Sequence, residues 1–134
     1  ARGALVAYGR RPRRYGLIHA DLLIDNMILG QDRIKILDFD DCGFGWHLFD
    51  LATILIFLRD DPNYDAIWHG VIDGYRGVRD LPDEELAHMP LFCLVRSFTY
   101  LGWLHTRFET PAATELAPTI VGIACDAAER FLQD

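Results

Sequence analysis

His19, Asp21 and Asn26 stand in the spacing H-x-D-x-x-x-x-N, and twelve residues beyond Asn26 a second acidic cluster begins: Asp38, Asp40 and Asp41, behind the apolar run Ile34-Lys35-Ile36-Leu37. One loop offers a carboxylate and an amide. The other offers a carboxylate at a strand end. These are the groups needed to hold a magnesium ion and to place a phosphate acceptor. Phosphoryl transfer asks for little covalent help. It requires the acceptor hydroxyl in line and the triphosphate charge neutralised. Magnesium is a hard ion that takes oxygen ligands in an octahedron, with one or two from the protein and the rest from phosphates and water. Asp38 can supply a carboxylate oxygen and Asn26 an amide oxygen. Asp21, in the same loop as Asn26, is then free to accept or orient the hydroxyl proton.

Elements to position these groups are legible on both sides. Met27-Ile28-Leu29 is apolar and β-prone, Gly30-Gln31-Asp32 is a turn signal, and Arg33 to Leu37 is a second strand. A short hairpin between Asn26 and Asp38 returns the chain and brings both loops to one edge. The remainder reads as helices. His47 to Arg59 is apolar on nearly all sides, hence central and buried. Tyr64 to Val78 carries apolar residues at 64, 67, 68, 71, 72 and 75, the pattern of an amphipathic helix. Asp83 is the expected N-cap of a long apolar helix reaching about Phe108, with a break or kink at Pro90 and an end at Thr110-Pro111. A last helix is expected from Pro118 to Leu132. Ala4 to Tyr8 reads as the last turns of an amphipathic helix.

The stretch from about residue 15 to 57 resembles the aminoglycoside phosphotransferase-like kinases, which include aminoglycoside, choline and homoserine kinases and share a protein-kinase-like fold. The residues that carry the likeness are His19-Ala20-Asp21-Leu22, Asn26, Asp38-Phe39-Asp40 and Asp50-Leu51-Ala52. Leu23 and Ile24 depart from the family pattern, where His and Pro are common. The resemblance implies that Asp21 is the catalytic base, that Asn26 and Asp38 hold Mg²⁺ and thereby ATP, and that His19 shapes the catalytic loop. It also implies that Asp50 is a buried acid bonded to that loop's backbone. An acid inside an apolar helix needs a partner in any case. Of Asp40 and Asp41, one is expected to support a metal or an arginine and the other to be a solvated loop acid, with no choice between them. The implied reaction is transfer of the ATP γ-phosphoryl to a hydroxyl of a small molecule.

The implied fold class is mainly α: a kinase-like large, carboxyl-terminal lobe with a short β-hairpin that carries the catalytic and metal loops. Only 18 residues precede His19, too few for the small lobe that supplies a phosphate-covering loop and a strand lysine. Lys35 is the only lysine, and Gly43-Phe44-Gly45 lacks the third glycine of G-x-G-x-x-G. The chain begins with Ala. The expectation is one domain over residues 1–134, with the amino-terminal ATP lobe absent and an exposed apolar interface that favours self-association. Two other readings compete. Ile36-Leu37-Asp38-Phe39-Asp40 also resembles the strand-end D-x-D of haloacid-dehalogenase-like phosphatases, but no lysine follows Lys35 and alternating strands are missing. A large lobe without its partner could instead be a non-catalytic binding or scaffold module.

Composition narrows the partners. A chain of 134 residues suits one core. No apolar run reaches the ~18 residues that span a bilayer, and no signal peptide opens the chain, so no membrane is expected. Cys42, Cys93 and Cys125 are odd in number and far apart, which points to a reducing, cytoplasmic setting. Arg2, Arg10, Arg11, Arg13 and Arg14 crowd the first 14 residues, whereas the remainder has 8 basic and 20 acidic residues. The arginines suit the solvated carboxyl end of the first helix. The acidic body argues against nucleic acid and suits a cationic substrate. Trp68, Tyr100, Trp103 and Phe108 are candidates to line an amine pocket or the core. His47, His69, His88 and His105 lack metal-ligand spacing.

Overall fold

The run after Trp46, apolar on nearly every side, becomes helix α2 (His47–Ile56) at the centre of the computed structural model, which describes residues 1–133. Leu48, Leu51, Ala52, Leu55 and Ile56 of α2 are all buried. Around it stand α1 (Arg2–Tyr8), α3 (Tyr64–Arg76), α4 (Asp83–Leu86), α5 (Met89–Thr106) and α6 (Pro111–Gln133). The core joins Tyr8, the inner face of α2, Ile72, Leu81, Met89, Leu91 and Phe92. Helix α5 packs on α2 through one side and on α6 through another.

Four short strands lie ahead of α2: β1 (Tyr15–Ile18), β2 (Met27–Leu29), β3 (Ile34–Ile36) and β4 (Gly43–Trp46). The expected hairpin is β2–β3, antiparallel, with Met27 opposite Ile36 and Leu29 opposite Ile34. A second antiparallel ladder, not anticipated from the sequence, pairs β1 with β4. Gly16 faces Gly45 across it. A Cβ on Gly45 would sit 2.3 Å from Ile18 Cδ1, and one on Gly16 would sit 2.8 Å from His47 Nε2. The glycines that allow this close pairing are residues that weaken a strand signal. Trp46 anchors the end of the ladder. Its Nε1–H donates to the Gly9 carbonyl at 2.7 Å, and its ring packs against Tyr15 and Phe92.

Two helix boundaries differ from expectation. Pro82, not Asp83, is the N-cap of α4, and the Asp83 carboxylate accepts from Arg76 instead. The break near Pro90 is present between α4 and α5. Pro90 itself lies in the first turn of α5, where its missing N–H costs nothing. The last helix begins at Pro111 rather than Pro118. Thr110 Oγ1 accepts from the Ala113 N–H at 3.2 Å, so Thr110-Pro111 is a capped start, not a stop. Pro118 sits inside α6 on an exposed stretch, where water can satisfy the carbonyl its ring leaves free.

Arg10, Arg11 and Arg13 are exposed, as expected at a solvated helix end, whereas Arg14 is drawn in. Arg14 donates to the Tyr8 carbonyl at the end of α1 (2.7 Å) and to Glu85 (3.2 Å). Arg13 pairs with Asp80, and Arg10 lies over the rings of Tyr15 and Trp46. Arg14 is thus a carboxyl-end cap of α1, as a cation should be, but partly buried rather than solvated. Among the described residues no helix is long and apolar enough to cross a membrane.

Candidate active site

The β1–β4 ladder sets the site's frame. Strand β1 delivers His19, Ala20 and Asp21 at its end, and the segment Asp38 to Asp41 runs directly into β4. Within the hairpin the Leu37 N–H donates to the Asn26 carbonyl at 2.9 Å. That bond places Asn26 and Asp38 together at the open end of β2–β3.

Asp50, in the first turn of α2, reaches back to the loop. Its Oδ2 accepts from the His19 N–H and its Oδ1 from the Ala20 N–H, both at 2.8 Å. Ala20 has φ +68°, a left-handed conformation that alanine adopts at a cost of roughly 1–2 kcal/mol. The carboxylate holds it there. His19 is buried, and its ring ties the two loops together. The Asp21 N–H donates to Nδ1 (3.3 Å), so Nε2 carries the hydrogen and donates to the Leu37 carbonyl (2.8 Å). Phe39 packs on the imidazole.

Burial pushes the Asp50 carboxyl above its ordinary value of 3.8, outweighing the two backbone donors that favour its ionised form. A raised acid binds protons more readily in the folded chain. Its titration therefore stabilises most below the ordinary value, and that contribution is lost as pH rises through the raised one. Asp50→Ala is expected to lower unfolding free energy by roughly 2–4 kcal/mol, because two N–H groups lose their acceptor. Urea melts at pH 4 and pH 7 check both points: the gap between wild type and variant should be wider at pH 4. Equal stability at pH 4 would remove the supporting role.

Asp21 is partly exposed, and its two oxygens differ. Oδ1 pairs with Arg96, and Oδ2 lies 3.4 Å from Asn26 Nδ2. The same Nδ2 donates to the Asp21 carbonyl at 2.9 Å. With its nitrogen so occupied, Asn26 has its amide oxygen left for another partner. Asp38 is exposed, makes no ion pair among the described residues, and has φ +61°. Aspartate is among the few non-glycine residues that adopt this left-handed conformation. Asp40 is exposed and likewise has no ion pair among the described residues. Among the described residues no three His, Cys, Asp or Glu side chains cluster as a metal site. The donor set Asn26 and Asp38 nonetheless fits magnesium, which draws its other ligands from phosphates and water.

A cavity of about 700 Å³ opens beside Asp21, between the loop and helices α2, α5 and α6. Asp25 and Asp41 line it, with Phe57, Tyr100 and Trp103. Of the aromatic candidates, Tyr100 and Trp103 therefore reach the cavity. Trp68 packs on the core beside Tyr64, and Phe108 is exposed. Burial pushes the Tyr100 phenol up, so it stays protonated. Its oxygen accepts from Arg96 Nη2 at 2.7 Å. Sequence reasoning misses Arg96, although the residue leaves a signal: it is the only Asp, Glu, Lys or Arg between Met89 and Thr106, and a lone charge in an apolar helix demands a partner.

Known proteins share this fold. The chain aligns with a structure of a microcompartment-associated aminopropanol kinase at a TM-score of 0.81 and 35% identity, over 98% of this chain and 42% of that one. It aligns with an amicoumacin kinase in complex with AMP-PNP, Ca²⁺ and Ami at a TM-score of 0.71 and 27% identity, over 93% of this chain and 41% of that one. Among curated proteins it is 28% identical over 112 residues to the amicoumacin kinase of Bacillus subtilis, covering 71% of this chain and 31% of that protein. It is 33% identical over 100 residues to a homoserine kinase of Allorhizobium ampelinum, covering 68% and 31%. The chain thus spans about a third of the curated relatives it matches. The fold is mainly helical and kinase-like. The model of the phosphotransferase enzyme family matches residues 4–81, which hold the His19 loop, the hairpin and α2, and the chain belongs to that family.

Proposed function

We propose that this chain is the large, carboxyl-terminal lobe of a small-molecule kinase that moves the γ-phosphoryl of ATP to an acceptor hydroxyl. The observation that carries the reading is the place of Asp21: one oxygen beside Asn26, at the wall of a cavity large enough for a small molecule. Asp21 accepts the hydroxyl proton as the hydroxyl oxygen bonds to Pγ. The bond from Pγ to the β–γ bridging oxygen breaks, and ADP leaves. Asn26 and Asp38 are the residues that would hold Mg²⁺, whose charge offsets that of the phosphates. His19 and Asp50 fix the loop and touch no substrate.

The cavity supports a cationic acceptor. Asp25 and Asp41 supply negative charge against Arg96 and Arg107 on the same lining, and Phe57 offers a ring to an ammonium, since the two guanidinium groups already lie over Tyr100 and Trp103. The relatives are named for amicoumacin, homoserine and aminopropanol. Leu17, Ile28, Leu29, Ile34 and Phe44, spread over the four strands, are exposed apolar residues that a small lobe would cover, and they would drive self-association of the chain alone. The free cysteines suit a reducing cytoplasm. Phosphorus NMR on the full-length protein with ATP, Mg²⁺ and homoserine or 1-amino-2-propanol tests the reading. A phosphomonoester signal should grow in step with ADP. Release of inorganic phosphate alone, or no turnover, would end it.

A further inference from the structure

Arg96 reaches from the middle of α5 to a loop 75 positions earlier in the chain, and it is only 7% exposed. Its Nη2 pairs with Asp21 Oδ1, and its Nη1 donates to the Ala20 carbonyl at 3.3 Å. The Ala20 peptide groups are therefore gripped from two helices: the N–H by Asp50 of α2, the carbonyl by Arg96 of α5. Arg96 is itself fixed. Its guanidinium lies 4.1 Å from the Tyr100 ring centre and 5.4 Å from that of Phe49, and it donates to Tyr100 Oη.

We propose that Arg96 is a positioning residue for phosphoryl transfer: by holding Asp21 Oδ1 it leaves Oδ2 as the oxygen that meets the acceptor hydroxyl. The inference rests on the kinase reading above and adds a residue to it. A carboxylate free to rotate offers either oxygen in many directions. A planar guanidinium that grips both the carboxylate and the adjacent backbone leaves one. Asn26 Nδ2, a neutral donor at 3.4 Å, holds Oδ2 more weakly than the guanidinium holds Oδ1. The acceptor's proton goes to Oδ2 alone. Lysine would supply charge without the fork, so charge and geometry can be separated.

The test compares wild type, Arg96→Ala and Arg96→Lys in the full-length protein, with ATP, Mg²⁺ and homoserine or 1-amino-2-propanol. Arg96→Ala should lose about a hundredfold in kcat with KM for ATP changed by less than about threefold, as expected when a reacting group is misplaced by ~1 Å. Millimolar guanidinium, far below denaturing levels, should restore a saturable part of that loss. Arg96→Lys should melt near wild type yet lose about tenfold in kcat, because one point charge replaces a two-pronged donor. Wild-type kcat in Arg96→Lys would overturn the proposal. So would an Arg96→Ala whose kcat and melting temperature fall together, with KM for ATP rising and no rescue by guanidinium. If Arg96→Ala fails to fold, the kcat of Arg96→Lys decides alone. A wild-type protein that phosphorylates no acceptor would instead sink the kinase reading, an outcome distinct from an active wild type matched by its variants.

Discussion

Asp21→Asn is expected to lower kcat by about a thousandfold, within the range a positioned general base contributes, while leaving KM for ATP nearly unchanged. Asparagine keeps the size of the side chain and an oxygen for Arg96, but it cannot take the acceptor proton. The alanine variant is a poorer probe. It would strand the buried Arg96 without its carboxylate, and an unpaired buried charge of this kind costs about 3–5 kcal/mol. Asp21→Ala should therefore lose stability as well as turnover, and Asp21→Asn, which removes the charge but keeps an acceptor for the guanidinium, should lose turnover with a smaller loss of stability. Steady-state kinetics beside a thermal melt separate the two. An asparagine variant within about tenfold of wild-type kcat would mean that Asp21 is a loop anchor and that some other group takes the proton.

The second large effect concerns Asp38. Its exposed carboxylate has no ion-pair partner among the described residues, so its removal should leave the fold intact, apart from the left-handed backbone. Asparagine tolerates φ +61° better than alanine does, which makes Asp38→Asn the cleaner variant. Losing a charged ligand should weaken Mg²⁺-dependent ATP binding by about a hundredfold, corresponding to ~3 kcal/mol. Titration calorimetry with magnesium, and again with a chelator, reads the difference directly. The two proteins should match once the metal is removed. An unchanged affinity in magnesium would show that the nucleotide is held without Asp38. Asn26 is less suited to the same experiment, because its nitrogen also holds the Asp21 carbonyl.

How much of the fold and site is legible in the sequence depends on how local each constraint is. The His19–Asn26 loop and Asp38 can be read because polar residues of fixed type and spacing lie within one short stretch. The β2–β3 hairpin shows as two β-prone runs about a turn signal, and α2 as a run too apolar to lie anywhere but the centre. The β1–β4 ladder is hidden because Gly16 and Gly45, which let Ile18 and His47 approach the backbone, also erase the strand pattern. The start of α6 is hidden because Pro118 has the look of a first helical residue. Thr110 and Pro111, which form the capped start, have equally the look of an end.

The sequence by itself determined the family to which the chain belongs and the order in which its motif residues appear. It could do so because spacing along a loop or a hairpin is a property of neighbouring residues. Only the tertiary structure decided which oxygen of Asp21 is free, what lies beside it, and how a strained alanine is held. Those answers come from Arg96 and Tyr100 on α5 and Asp50 on α2. They meet the loop only because burying the apolar faces of α2 and α5 against one another brings together residues that the chain keeps far apart.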